Sequence, residues 1–223
     1  MRMTAADHDR VSDAVHAAEA GTSGEIVTIV ADRSDAYHDV GLHYAILTML
    51  LVPIIFAMFP AIPDALLALV TGGWATERDY PSLYLMLFVV MTVAFLIVRY
   101  LLAIMPLRLA LTPKATRRRR VRRRAVELFK VGTEARTTGR TGILIYLSMG
   151  EHMAEIVADH AIHSSVAETE WGDAMVALIT DVRQGRIADG MVAAVAKVGT
   201  ILSAHLPRAI DDANELPDHV IEL

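Results

Sequence analysis

Two stretches of the chain carry no charged side chain: residues 40–63, between Asp39 and Asp64, and residues 80–98, between Asp79 and Arg99. A helix rises about 1.5 Å per residue, so roughly 20 apolar residues match a hydrocarbon core about 30 Å thick. Neither stretch shows the polar face of a helix lying on a soluble core, and the rest of the chain is too short to cover two such helices. The spacing predicts a transmembrane helical hairpin over residues 40–106, with spans at about 41–63 and 83–105. Polar, acidic sequence precedes the first run, which sets it apart from a cleavable signal segment. Pro53 and Pro60 are tolerable inside a membrane hairpin. Trp74, Tyr80 and Tyr84 lie in or beside the connector 64–82, as interface aromatics do. Arg99, near the end of the second run, reaches the headgroups by snorkelling.

Charge orients the hairpin. Residues 107–140 hold 12 of the 21 basic residues and two acids, while residues 1–40 and 151–223 are net acidic, so the overall charge of −5 is a cancellation. The cluster is Arg117, Arg118, Arg119, Arg120, Arg122, Arg123 and Arg124, directly after the second run. Arginine beside a span stays on the cytoplasmic side. The connector carries one basic residue, Arg78. The expected topology is a multi-pass inner-membrane protein with both termini cytoplasmic. The arginine run holds no aromatics for base stacking, so its predicted partners are the lipid bilayer and anionic lipid headgroups, not nucleic acid.

Outside the hairpin the pattern is that of a small α/β domain. Val11, Ala14, Val15 and Ala18 recur at helical spacing. Glu25–Ala31 (EIVTIVA) reads as a buried strand, which must pair with something beyond the hairpin because a lone strand is unstable. Thr112-Pro113 starts a helix predicted to run through the arginines to about Thr138. Thr141–Ser148 (TGILIYLS) and Met153–Ala158 (MAEIVA) read as strands. Helices follow at Trp171–Gln184 and about Ile187–Ala204. The simplest closure sets Glu25–Ala31 beside Thr141–Ser148 through a helical crossover that carries the hairpin. The predicted organisation is a first domain part at 1–39, the hairpin, a second domain part at 107–210, and an acidic, mobile tail at 211–223.

The stretches EAGTSGEIVTIVADRSDAY, GRTGILIYLSMGEHMAEIVADHAI and WGDAMVALITDVRQGRIADGMVAAVAKVGTILSAHLP resemble, in order and spacing, the TPM-domain family. In particular they resemble a bacterial branch in which a membrane hairpin follows the first strand. The family includes thylakoid-lumen proteins linked to photosystem repair, an acetylcholine-receptor modulator and many bacterial membrane proteins. The resemblance implies a small α/β/α domain, here interrupted by its own anchor. Some family members are described as acid phosphatases or calcium binders. Where the commoner pattern places Asp-Asn-Gly and Gly-Tyr-Gly, this chain has Arg140-Thr141-Gly142 and Asp159-His160-Ala161. The first change puts a cation where calcium needs a carboxylate.

No standard catalytic motif stands out. There is no cysteine, which excludes thiolate metal sites and a cysteine nucleophile. His152, His160 and His163 lie near Glu151, Glu155 and Asp159, but their spacing is no zinc signature. Asp181, Arg183, Arg186 and Asp189 around Gly185 read as helix caps. No catalytic residue, metal ligand set or cofactor is therefore predicted. Two functions follow. One is a non-enzymatic accessory or scaffold, with other membrane proteins as partners, in assembly or turnover of inner-membrane proteins. The alternative is a metal-dependent acid phosphatase-like hydrolase using Glu25, Asp159 and Asp189.

Overall fold

The computed structural model describes residues 3–72, 80–134, 141–208, 216 and 218–223. It divides into two compact units: residues 1–35 with 114–223, and residues 36–113.

Among the described residues the first unit is built on a mixed sheet of four strands, β1 (Glu25–Ala31), β2 (Gly142–Ser148), β3 (Met153–Ala158) and β4 (Ile221–Glu222), in the order β3-β2-β1-β4. β1 (Glu25–Ala31) and β2 (Gly142–Ser148) run parallel, in register from Glu25 opposite Gly142 to Ala31 opposite Ser148. Both are buried at every position, as their unbroken β-branched and aliphatic content requires of strands covered on two faces. β3 (Met153–Ala158) returns antiparallel beside β2. The pairing expected across the insertion is present. A parallel pair cannot be joined by a tight turn, so the long crossover through the second unit is compatible with it.

Helices cover both faces. α6 (Lys114–Phe129) lays Val121, Ala125 and Phe129 on the face formed by Val27, Ile29, Leu144 and Tyr146. On the other face lie α1 (Ala5–Glu19), α8 (Glu168–Val182) and α9 (Ile187–His205), against Ile26, Val30, Ile143 and Ile145. Thr4 caps α1, its hydroxyl accepting from Asp7 N at 3.2 Å while Thr4 N donates to the Asp7 carboxylate at 3.0 Å.

The structure corrects three expectations for this unit. The helix through the arginines begins at Lys114 and is α-helical only to Phe129, passing into a π-helical turn at Lys130–Glu134. Thr112 is not its cap: the Thr112 hydroxyl donates back to Arg108 O at 2.8 Å and closes the preceding helix. The tail is not loose throughout. Leu216 and Val220 are buried, and β4 (Ile221–Glu222) pairs in parallel with Ile29 and Val30 of β1. A further helix, α7 (His160–Ser165), follows β3. Residues 135–140, including the predicted helix end, lie outside the described residues, as does most of the acidic stretch 209–217.

The second unit holds α2 (His38–Met58), α3 (Ala61–Thr71), α4 (Tyr80–Leu101) and α5 (Met105–Leu111). α2 and α4 have 21 and 22 residues and mean hydropathies of 2.1 and 2.4. Each spans about 31–33 Å. Pro53 lies within α2, whereas Phe59-Pro60 ends it, with Phe59 leaving helical angles at φ −127°, ψ 75°. The chain then resumes as α3, so part of the predicted connector is helical up to the left-handed cap at Gly72, φ 66°. Trp74 and Arg78 of that connector lie outside the described residues. No residue of α4 is buried, and Leu85, Phe88 and Tyr84 are each about two-thirds exposed. Apolar surface of that extent belongs against lipid or another protein, not water.

The ends of this unit are joined by one cation. Arg108 of α5 is 4% exposed. Its guanidinium donates to Leu102 O at 2.6 Å and Ala36 O at 2.5 Å, and lies 3.2 Å from His38 Nδ1. A buried guanidinium holding two carbonyls ties the start of α2 to the turn after α4.

A third helix, α9, is also long and apolar enough to cross a membrane, with mean hydropathy 1.5. Half of it is buried in the first unit, and its small residues explain how. A Cβ on Gly190 would come within 2.6 Å of Leu178 O, and one on Gly199 within 2.6 Å of Ala18 Cβ. These close approaches to α8 and α1 make α9 a core helix. Gly190→Val is expected to overpack the α8–α9 contact and cost about 1–3 kcal/mol. Thermal unfolding of the full chain in mild detergent measures it; an unchanged midpoint would refute the close packing.

Candidate functional site

The arginine run folds into one helix, and the helix divides its arginines by direction. Val121, Ala125 and Phe129 face the sheet at helical spacing, so the flanking arginines emerge on either side. Arg120 and Arg123 both meet Asp35, with Nη1–Oδ2 at 3.1 Å and Nη2–Oδ2 at 3.2 Å. The Arg120 and Asp35 side chains are only 16% and 23% exposed. Asp35 is the last residue of the first unit before the insertion, and Arg120 lies in the second turn after re-entry. Arg122 reaches Glu155 of β3 at 3.6 Å, while Arg123 and Arg124 lie 3.7 Å from Glu127. Arg118 and Arg119 are exposed, and Arg117 is half-buried. Of the seven arginines expected at headgroups, Arg120 is largely committed to the domain itself, while Arg118, Arg119, Arg122, Arg123 and Arg124 are exposed.

Beside this clasp lies a buried polar network that sequence reasoning did not find. It forms at the carboxyl ends of β1 and β2, where open α/β sheets commonly place functional groups. Glu151, 2% exposed, accepts from Ser34 N at 3.1 Å and from the Ser148 hydroxyl. The hydroxyls of Ser34 and Tyr146 are 3.0 Å apart. Burial raises the Tyr146 hydroxyl above its ordinary range, with the Ser34 hydrogen bond working against that shift. The network joins the segment leaving β1 to the turn after β2. The local signal is the polar run Asp32-Arg33-Ser34-Asp35 after a buried strand, which gives no hint of a glutamate 117 positions from Ser34.

The carboxylates of the hydrolase alternative are used separately. Glu25 accepts from Leu216 N at 3.3 Å, and Asp159 from Gly142 N at 3.1 Å. Asp189, in the first turn of α9, pairs with Arg10 at 2.5 Å and with Arg186 at 3.3 Å, and the start of α9 has no side-chain cap hydrogen bond. Arg186 also pairs with Asp181. His152, His160 and His163 are exposed. Among the described residues no three His, Asp or Glu side chains converge as a metal site.

Among the described residues, two carboxyls, Glu155 and Glu19, hold their protons more tightly than usual. Burial is the main cause at Glu155, opposed by Arg122 and Arg118. Glu19, near the end of α1, is pushed up to about 8, first by burial and then by the charges of Glu25 and Asp218. Its hydrogen bond from Ile26 N, at 2.7 Å, and Arg208 oppose the rise.

No family model matches the chain, and no curated protein matches it. The NMR structure of BA42 protein from the psychrophilic bacterium Bizionia argentinensis aligns with it at a TM-score of 0.57 and 18% identity, covering 100% of this chain and 97% of that one. At that identity the likeness is one of fold alone.

Two outcomes follow. Glu151→Ala strips the acceptor from buried Ser34 and Ser148 donors and should cost about 2–4 kcal/mol, with Glu151→Gln losing less. Equal stability of both variants and the parent, by denaturant titration in detergent, would contradict that role. A carboxyl that holds its proton more tightly when folded stabilises the fold fully below its unfolded value and loses that contribution as pH rises through about 8. Melting temperature should therefore fall more steeply from about pH 5 to about pH 9 in the parent than in Glu19→Gln. Parallel curves would remove the assignment.

Proposed function

We propose that this chain is a membrane-anchored, TPM-like domain protein acting as a non-enzymatic accessory or scaffold for assembly or turnover of inner-membrane proteins. The observation that carries the reading is the insertion itself. The α/β unit closes in register between Glu25–Ala31 and Gly142–Ser148, and the residues between them include two apolar helices of bilayer-spanning length. An anchor inserted into a domain at both ends tethers it more closely than a terminal helix on a linker does. The order of elements, with the interruption after the first strand, supports the TPM-like assignment.

The charge pattern supports the orientation: the arginine-rich α6 follows the second apolar helix after only the short α5, on the side expected to be cytoplasmic. Exposed arginines of α6 meet anionic headgroups within a Debye length of the surface. The same orientation puts both termini in the cytoplasm. What favours a scaffold over the hydrolase is the use of Glu25, Asp159 and Asp189 in three separate structural contacts.

The test is topological. A reporter fused after Leu223 should read as cytoplasmic and one inserted after Gly72 as translocated, with the protein resisting extraction by alkaline carbonate. A translocated carboxyl terminus, or release by carbonate, would overturn the reading.

A further inference from the structure

β3 is an edge strand. The sheet order places β2 on one side of it, and among the described residues no strand pairs with the other. The phase of the ladder is fixed by Asp159 N donating to Gly142 O at 3.0 Å. In an antiparallel pair, alternate residues turn both backbone groups toward the partner. Those of Met153, Glu155 and Val157 thus face β2, while the N–H and C=O of Ala154, Ile156 and Ala158 point outward.

This edge lies in a groove of about 650 Å³. Its two walls differ. Arg118, Arg122 and Val126 of α6 form one, and Trp171, Met175 and Ile179 of α8 form the other. The Arg122 side chain is 69% exposed and its only described ion pair is with Glu155, at 3.6 Å. Natural sheets usually blunt a free edge with a proline, a lysine or a covering element, because it invites another strand. β3 contains no proline or lysine, and its one charged side chain, Glu155, is paired with Arg122 on the α6 face.

We propose that the free edge of β3 receives an extended segment of a partner protein as an added strand, with acidic side chains toward α6 and apolar side chains toward α8. Successive side chains of a strand point to opposite faces, so the segment is one in which acidic and apolar residues alternate. Main-chain hydrogen bonds to Ala154, Ile156 and Ala158 supply affinity that any strand would share. The cationic wall and the apolar wall supply the selection. A second copy of this chain fits poorly: antiparallel pairing of two β3 edges about a two-fold axis sets two α6 helices side by side on one face, arginine against arginine. The inference names a partner chemistry for the accessory role above and rests on that role only to this extent. It does not need the headgroup contact.

The experiment uses the full chain in an uncharged detergent, so that lipid charge plays no part, and a fluorescein-labelled octapeptide alternating valine or leucine with aspartate or glutamate. Fluorescence anisotropy should show saturable binding, and the same peptide with lysine for every acid should not bind. Two further peptides carry N-methyl groups on the odd or on the even amides. One set faces the β3 edge and the other faces away, so one peptide should lose about tenfold or more in affinity while the other keeps it. Because this contrast changes only the ligand, it does not depend on a variant folding. The double variant Arg118→Glu/Arg122→Glu should reverse the preference toward the lysine peptide. Absence of saturable binding by the acidic peptide, or equal affinity of the two methylated peptides, would overturn the proposal. A failed topology test with intact peptide binding would sink the membrane reading alone.

Discussion

The structure depends on bringing together two points of the chain that the insertion separates. Asp35 leaves the α/β unit and Lys114 re-enters it, and only then can β2 lie beside β1. Two contacts hold the junction on the domain side. The Asp35 carboxylate is shared by Arg120 and Arg123, and the buried Glu151 binds Ser34 N one residue earlier. On the insertion side, Arg108 gathers the carbonyls of Ala36 and Leu102. Each unit thus closes its own ends with a charged group whose hydrogen-bonding capacity is used on backbone or on a partly buried partner. An exposed pair would contribute little, but partial burial on both sides makes the Asp35 clasp worth more than a surface bridge.

Much of the fold was legible because its strands are unusually explicit. EIVTIVA and MAEIVA appear at the residues expected, and the parallel pairing follows from the need of a lone strand for a partner beyond the hairpin. Less legible were the features set by tertiary proximity. Ile221–Glu222 is too short to announce itself as a strand, and it forms only because β1 offers an edge and Val220 finds the core. Glu151 reads as one acid in a histidine-rich loop, and its burial is dictated by the turn that brings it to Ser34 and Ser148. The arginine helix was recognisable as a helix and as a charge cluster. Its division between the Asp35 clasp, the β3 edge and the outward face depends on rotation about the helix axis, which the buried Val121, Ala125 and Phe129 determine.

Composition alone treats α2, α4 and α9 alike. What separates them is the presence of neighbours at backbone distance. α9 carries glycine where α1 and α8 approach, whereas α4 leaves Leu85 and Phe88 about two-thirds exposed. Small residues at the close contacts mark packing against protein, and bulky apolar residues on every side mark a different solvent.

The split in the domain also sets an order in time. β1 is complete at Ala31 and its partner β2 begins at Gly142. At a synthesis rate of roughly 5–20 residues per second, on the order of ten seconds separates the two. Throughout that interval EIVTIVA is a largely apolar, β-branched strand without its mate, the kind of segment that aggregates when left waiting. The intervening apolar helices are made during the same interval. Their capture by a bilayer would hold the nascent chain at a surface, apart from other copies, until α6 and β2 arrive.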